Sequence, residues 1–448
     1  MAGEVKIESL AHVARLLDGP LLGNDAVFHG VSTDSRTILE GELFVALQGP
    51  NFDGGEYLEM ARRRGAAGAI VQNRGDSTLP QIMVGDTLTA LGRLAAAWRE
   101  QFEIPLLAIT GSNGKTTVKE MTASILRQFG PGTVTRGNLN NEIGVPLTLL
   151  RILPEDRWAV IEMGASGPGE IATLSRIAQP TVALVNNVGT AHLQGFGSVE
   201  GIAAAKGEIY SNLRRDGVAL INCDLPQAAE WRVLAAGNRI ETYGCSGHPS
   251  LVGAVIDLNR PFMLSYHGES LEVELPLLGA HNRLNALAAA ALSLQTGASL
   301  EQVKRGLELV EPVPGRLEIK SGRSGAEIID DSYNANPESM FRAIELLSAM
   351  EGRKILVLGD MGELGVDTPQ LHRKVGLEAR AAGIDRLYAL GSSAVEYPSA
   401  FGGGATHFSG CRELLAALEE ELKEGVVILV KGSRFMRMER IVEEITKL

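Results

Sequence analysis

The most chemically loaded stretch of this chain is Thr110-Gly111-Ser112-Asn113-Gly114-Lys115-Thr116-Thr117. Glycines let backbone N–H groups turn toward phosphate oxygens, a lysine reaches the β- and γ-phosphates, and a Ser/Thr hydroxyl ligates Mg²⁺, so the run reads as a nucleotide phosphate loop. The usual pattern has a further glycine five residues before Gly114. Here that position is Ile109, which makes the loop a shortened form. The plainer alternative is a glycine-rich turn that ends in Lys-Thr by chance. Against it stand the apolar run Leu106 to Ile109 on one side and a helical pattern from Lys115 on the other.

Other candidates sit where strands end. Glu162 follows the β run Ala159 to Ile161, and open α/β sheets place ligands at such carboxyl ends, where a carboxylate can hold a nucleotide's Mg²⁺. His192, in Thr190-Ala191-His192-Leu193, follows the run Val182 to Asn187 in the same way. A core histidine and a metal ligand both fit it, although imidazole is an unusual partner for a hard Mg²⁺ ion. Lys206 is a single cation in an apolar helical stretch; a lysine snorkelling to the surface and a site lysine remain equally open. Asn282 and Asn285 stand at a helix start. Arg316 follows Gly315, and Asp330 to Pro337 packs two carboxylates and two asparagines behind a buried strand, more directed hydrogen-bonding groups than a turn or N-cap needs.

These residues need a scaffold, and the chain is long enough for three domains, since single cores stop growing near about 250 to 300 residues. The first hundred residues mix short elements: a helix around Leu10, Val13 and Leu17, strands Val31 to Thr33, Leu43 to Leu47 and Gly68 to Val71, and helices Tyr57 to Arg64 and Thr87 to Phe102. Ile104-Pro105 breaks the helical pattern, and Pro312-Val313-Pro314-Gly315 breaks the next, so we expect domains at 1–103, 104–312 and 313–448. Between the breaks, strands Val182 to Val185 and Val218 to Ile221 continue an alternation with helices, which implies a mostly parallel sheet. After the second break, Ala326 to Ile329, Lys354 to Leu358, Arg386 to Leu390 and Val426 to Val430 are each followed by a helical stretch, as in a Rossmann-like domain. The fold class is therefore α/β throughout. Gly402 to Gly404 reads as a surface turn, because no helix start follows it.

Composition removes several function classes. The 448 residues are 45% hydrophobic and 21% charged, which excludes wholesale disorder. With 42 Lys and Arg against 54 Asp and Glu, a net charge of −12 and no basic run longer than Arg62-Arg63-Arg64, binding to nucleic acid or to an acidic membrane surface is disfavoured. Cys223, Cys245 and Cys411 are far apart and fit neither a disulfide framework nor a zinc site, so a reducing cytoplasm is the expected compartment. The stretch MAGEVKIESL lacks a basic region followed by an apolar core, so export is not expected, and Leu284 to Leu294 is too short to span a bilayer. The 52 glycines, about 12% against an average of about 7%, point to many tight turns or close backbone approaches.

Taken in order, Gly111 to Thr117, Glu162-Met163-Gly164, Ala191-His192-Leu193, Lys206, His281 to Asn285, Gly315-Arg316 and Asp331 to Pro337 resemble the ATP-dependent Mur ligase family along the whole chain. Asp34-Ser35-Arg36 with Gly41 to Leu47 and Gly49 is similar to the members that add the third residue or the final dipeptide, rather than to the earlier ligases. Asn138 to Thr148, Leu358 to Gly365 and Lys431-Gly432-Ser433-Arg434 favour the dipeptide-adding member, and the Asp-Asn-Pro-Arg signature of the diaminopimelate-adding one is absent. The resemblance implies an ADP-forming ligase that uses ATP and Mg²⁺ to join D-Ala-D-Ala to UDP-MurNAc-tripeptide through an acyl phosphate. It implies Lys115, Glu162, His192 and Lys206 as catalytic, with Thr116, Glu162, His192 and a carbamylated Lys206 around metal. Gly111, Ser112, Asn113, Gly114, Lys115, Thr116, Thr117, Asn282, Asn285, Arg316, Asp331 and Asn336 would bind nucleotide; Ser35, Arg36, Asn138, Asn140 and Asn141 would bind the UDP-substrate. A cytoplasmic monomer with no integral membrane contact is expected, with closure of the C-terminal domain over the central one. The competing readings are another Mur-type ligase, a folylpolyglutamate-type ligase, which shares the shortened loop but lacks the Asp34 to Gly49 segment, and a phosphate-loop ATPase that switches partners.

Overall fold

The structure, a computed structural model, describes residues 9–49, 52–189, 193–246, 249–255 and 260–447. His192 lies outside the described residues. The chain forms three α/β domains, each with its own sheet. The first runs through α1 (Leu10–Leu16), β1 (Leu21–Leu22), β2 (Val31–Ser32), β3 (Leu43–Val45), α2 (Leu58–Arg63), β4 (Gly68–Val71), β5 (Gln81–Met83) and α3 (Thr87–Arg99). Its sheet has the order β1-β5-β4-β3-β2, parallel except for β1. Ser9 and Asp86 cap α1 and α3. Side-chain alternation sends Leu43, Val45 and Ile70 toward α1 and α3, and Phe44, Ala69 and Val71 toward α2.

The central domain comprises β6 (Leu106–Thr110), α4 (Lys115–Leu126), β7 (Thr133–Val134), α5 (Gly144–Leu149), β8 (Ala159–Glu162), α6 (Glu170–Ala178), β9 (Val182–Val185), α7 (Val199–Gly207), β10 (Val218–Asn222), β11 (Arg239–Gly244), β12 (Val252–Val255), β13 (Phe262–Tyr266), β14 (Glu269–Val273), α8 (Ala280–Leu294) and α9 (Leu300–Glu308). The nine strands lie in the order β14-β13-β12-β11-β10-β9-β6-β8-β7. Each neighbouring pair from β7 across to β12 in that row is parallel, which buries both faces. Leu107 and Ile109 pack with α4, α8 and α9, while Leu106 and Ala108 pack with α5, α6 and α7. In the Ala-rich α8, residues 286 to 294 are all buried.

The third domain contains β15 (Glu318–Ser321), β16 (Glu327–Asp331), α10 (Pro337–Ser348), β17 (Arg353–Gly359), α11 (Thr368–Ala381), β18 (Arg386–Leu390), β19 (Ala405–Phe408), α12 (Cys411–Glu419), β20 (Val426–Lys431) and α13 (Glu439–Thr446). Its order is β15-β16-β20-β17-β18-β19, parallel apart from β15. Helices α10 and α11 cover one face, α12 and α13 the other.

The α/β class and the alternating pattern hold. Additions come at the sheet edges, where β12 to β14 and β15 run antiparallel. The pairing of Tyr266 with Glu269 leaves a two-residue loop, His267-Gly268, with φ of 48° and 86°. Positive φ at both positions matches the twist of a tight hairpin. The helix expected through Phe102 stops at Arg99, and Gly402 to Gly404 is a turn leading into β19.

Candidate active site

The phosphate loop is a product of β6 and α4. Gly114 sits at φ 75° as the residue before α4, and a Cβ there would lie 2.4 Å from Asn285 Oδ1 and 2.8 Å from Asn186 Nδ2. Only glycine leaves room for those amides. They brace the loop from behind: Asn186 Nδ2 and Asn187 Nδ2 donate to the Asn113 carbonyl at 3.0 and 2.9 Å, and the Asn113 N–H donates to Asn187 Oδ1 at 2.8 Å. Ser112 is tied to Gly189 in both directions, its Oγ donating to the carbonyl at 3.2 Å and accepting from the N–H at 2.8 Å. Lys115 folds back to donate to the Gly111 carbonyl at 2.7 Å. Burial depresses its amine, and the Glu162 carboxylate opposes that shift.

Glu162 ends β8, 2% exposed. Its Oε1 accepts from Asn140 Nδ2 at 2.8 Å, but Oε2 is buried with no hydrogen-bond partner. The nearest cation is Lys119 Nζ at 3.9 Å, itself committed to the Thr135 carbonyl at 2.7 Å. A buried carboxylate oxygen without a donor is costly, and a cation bound beside it removes that cost. Glu162 therefore fits a magnesium ligand. Among the described residues no group of three or more His, Cys, Asp or Glu gathers around a metal position. Lys206, 2% exposed in α7, lies 5.8 Å from the Phe196 ring centroid. Burial first, and then the charge of Lys115, lowers its amine to about 7.

The C-terminal domain completes the site from above. Arg316 Nη2 donates to Thr116 Oγ1 at 3.1 Å, and its guanidinium rests 4.4 Å from the Tyr333 ring centroid. Asn336 caps α10 by accepting from Ser339 N and uses its own amide to donate to Asn113 Oδ1 at 2.8 Å. Glu338, two residues on, accepts from Asn113 Nδ2 at 2.9 Å. Asp331 and Lys431 face each other at the ends of adjacent strands and pair at 2.6 Å. Burial pushes the Asp331 carboxyl up, against the pull of Lys431. His281, at the start of α8, is held at about 4 by burial and by Arg342 and Lys431, so it is neutral at pH 7.

Most of these groups surround a cavity of about 350 Å³, but neither Lys206 nor Lys119 is among the residues that line it. Ser112 to Thr117, Asn138, Asn140, Asn141, Glu162, Asn282, Asn285, Arg316, Asp331 and Asn336 all line it. Gly111 lies just behind the loop it starts. Several amides are already engaged: Asn282 Nδ2 holds the Leu278 carbonyl, Asn285 Nδ2 donates to Asn282 Oδ1, and Asn141 Oδ1 caps the turn into α5 through Gly144 N. Ser35 and Arg36 are not part of this cavity. They lie in the N-terminal domain, Ser35 buried and Arg36 paired in two-pronged fashion with Asp34 at 2.9 and 2.8 Å. Sequence reading passed over Asn186, Asn187, Lys119, Arg342 and Glu338. For Asn186-Asn187 there was a signal, two amides directly after a buried strand neighbouring β6; for Glu338 there was none, since its role depends on how two domains meet.

Known proteins resemble this chain in sequence and in fold. The profile of the Mur ligase middle domain matches residues 109–293, that of the Mur ligase glutamate ligase domain 315–434, and that of the Mur ligase family catalytic domain 27–99. The chain is 43% identical over 440 residues to the UDP-N-acetylmuramoyl-tripeptide–D-alanyl-D-alanine ligase of Escherichia coli (strain K12), with 97% of each covered. Its structure is similar to that of MurF from Acinetobacter baumannii at a TM-score of 0.89 and 37% identity, covering 97% of both chains. It is also similar to MurF ligase from Thermotoga maritima in complex with ADP, at a TM-score of 0.81 and 29% identity, covering 93% of this chain and 97% of that one. Likeness of this extent, in sequence across all three domains and in fold along almost the entire length, means that the chain belongs to the Mur ligase family.

Proposed function

We infer that the protein is an ATP-dependent, ADP-forming ligase that joins D-Ala-D-Ala to the C-terminal carboxyl of UDP-MurNAc-tripeptide in the synthesis of peptidoglycan precursors. The observation that carries this reading is the convergence of a phosphate loop, the Glu162 Oε2 that has no hydrogen-bond donor and the C-terminal Arg316 on one cavity. The 43% identity to an enzyme named for this ligation supports the choice of substrates. We assign residues 1–103 to the UDP-sugar, with Ser35 and Arg36 among its contacts, 104–312 to ATP and the ligation chemistry, and 313–448 to nucleotide closure and the acceptor.

A carboxylate is a poor acyl donor. In this reading an oxygen of the tripeptide carboxylate forms a bond to the γ-phosphorus as the bond to ADP breaks. The amine of D-Ala-D-Ala then forms the C–N bond, loses a proton, and phosphate departs. Negative charge concentrates on oxygens in both steps, so positioning and fixed cations carry the rate. Backbone N–H groups of Gly111 to Thr117 and the Lys115 ammonium hold the phosphates, Arg316 follows the γ-phosphate, and Asn140 orients Glu162. Asn282, Asn285, Asp331 and Asn336 complete the nucleotide site, and Asn138 and Asn141 present the tripeptide end of the UDP-substrate. Mg²⁺ would neutralise charge between the phosphates and the acyl group, with Thr116, Glu162, His192 and Lys206 as the residues to hold it. Lys206 can serve in that role as a carbamate. An amine near a pKa of 7 is partly unprotonated at neutral pH, and the free amine adds CO₂ with loss of one proton. Three free thiols suit a reducing cytoplasm, where we place the enzyme as a monomer.

Phosphate release should require UDP-MurNAc-tripeptide and D-Ala-D-Ala together, and Lys115→Ala should abolish it while leaving the circular dichroism spectrum unchanged. ATP hydrolysis without either substrate would instead favour a phosphate-loop switch, and full turnover by the variant would overturn the phosphate-loop assignment itself.

A further inference from the structure

Five arginines and lysines line the cavity among the described residues: Lys115, Arg316, Arg342, Lys431 and Arg434. Four are committed. Lys115 lies on the Gly111 carbonyl within the phosphate loop, and Arg316 reaches Thr116 on the same side. Lys431 is 3% exposed and bonded to Asp331 and to the Asn334 carbonyl at 2.9 Å. Arg342 pairs with Glu338 at 3.0 Å, the same glutamate that holds the loop through Asn113.

Arg434 differs. Its backbone is fixed, with the N–H donating to Asn334 Oδ1 at 3.3 Å and the preceding Ser433 Oγ donating to the Ala335 carbonyl at 3.2 Å. Its guanidinium lies 5.4 Å from the centroid of Tyr333, the ring that Arg316 also contacts. The remaining partner is Glu439, at 3.1 Å in a rim pair whose side chains are 60% and 33% exposed. Such a pair contributes little and yields readily to a better acceptor. The structure thus presents a pre-oriented guanidinium, half in solvent, at the C-terminal-domain wall of the cavity.

D-Ala-D-Ala enters with two charged ends. Its amine must reach the acyl carbon near Lys115 and Glu162, which places its carboxylate about 7 Å away in an extended dipeptide. A carboxylate drawn out of water needs a charged donor, and the planar fork of arginine fits it two oxygens at a time. We propose that Arg434 receives the C-terminal carboxylate of the incoming dipeptide and so determines which acceptor the enzyme takes. This deepens the ligase reading above and rests on it.

The test compares D-Ala-D-Ala with D-alanyl-D-alaninamide, which has the same amine and no carboxylate. Wild type should prefer the free acid by about 10- to 100-fold in kcat/KM, the range of one charge-assisted bidentate contact. In Arg434→Gln the preference should fall to about 2-fold or less through a higher dipeptide KM, with KM for ATP and for the UDP-substrate unchanged. Arg434→Lys, which keeps the charge without the fork, should fall between. Three results overturn the proposal: a wild type indifferent to the amide, a preference that survives in Arg434→Gln, or a rise confined to the KM of the UDP-substrate, which would make that substrate's own carboxylates the partner. A wild type that couples neither acceptor refutes the ligase reading itself and this proposal with it, and that failure appears before any variant is made.

Discussion

Lys206 is the residue whose environment asks most of it. At 2% exposure, with no hydrogen-bond or ion-pair partner among the described residues, its charged form is the expensive one. Its amine is lowered from 10.5 to about 7 in the folded protein. Between these values the unfolded chain binds a proton that the folded chain lacks, so stability rises with pH across the window; below pH 7 both states are protonated and the full penalty stands. Lys206→Met should therefore exceed wild type in stability at pH 6 by on the order of 3–5 kcal/mol at most, with the gap closing toward pH 10. Urea unfolding in CO₂-depleted buffer at several pH values checks this, and a gap that does not vary with pH counts against it. The same residue marks a limit of sequence reading. Its helix and apolar neighbours were legible, but surface and buried lysines share that pattern, and only the packing of α7 against the sheet separates them. Glu162 was legible because strand ends at a parallel sheet's carboxyl edge are local features. The loss of a partner for its Oε2 was not, since that depends on Asn140 and Lys119 arriving from β7's loop and α4.

At the scale of elements, α3 does more than cover the first sheet. Its last residue, Arg99, is 1% exposed and reaches across to the central domain. The guanidinium donates to the carbonyls of Ala178 and Ile104, each at 3.3 Å, and to that of Phe102. Trp98, its neighbour, donates from Nε1 to the Ile152 carbonyl at 3.1 Å. Burial, helped by the charge of Arg214 and opposed by that of Glu103, lowers the Arg99 guanidinium to about 10, still charged at neutral pH. Three carbonyls and the C-terminal end of α3 compensate that charge. Arg99→Met should leave those carbonyls unsatisfied and destabilise the junction by about 2–4 kcal/mol, read as a lower thermal midpoint. An unchanged midpoint would mean that water replaces the guanidinium. The sequence places a boundary at Ile104-Pro105, directly before β6 at Leu106, yet nothing in a terminal arginine announces that it bolts two domains together. The edge hairpin β13–β14 was missed for a different reason. Its strands expose Ser265, Glu269 and Ser270 and bury few residues, so the apolar signal is thin, and only His267-Gly268 hinted at a turn.

For the whole molecule, the decisive contact is a single asparagine in the phosphate loop. Asn113 accepts from Asn336 and donates to Glu338, so both faces of one side-chain amide hold α10 of the C-terminal domain over the loop. Arg316 on Thr116 adds a second fastening. The closed arrangement thus exists in the protein's own contacts, and the anionic substrates of a chain with net charge −12 meet a cavity whose local cations outweigh the surface. We predict that ATP binding draws on this closed arrangement, so that its apparent affinity scales with the population of that state. Asn113→Ala and Glu338→Ala should each raise the KM for ATP by about 5-fold, the effect of one partly exposed hydrogen bond to a charged group. The double variant should be far less than 25-fold worse, because both changes remove the same bond. Small-angle scattering of the free protein should show each variant more extended than wild type. Independent, multiplicative effects on KM, or scattering curves that superimpose, would show that closure is set elsewhere, with Arg316 the next residue to test.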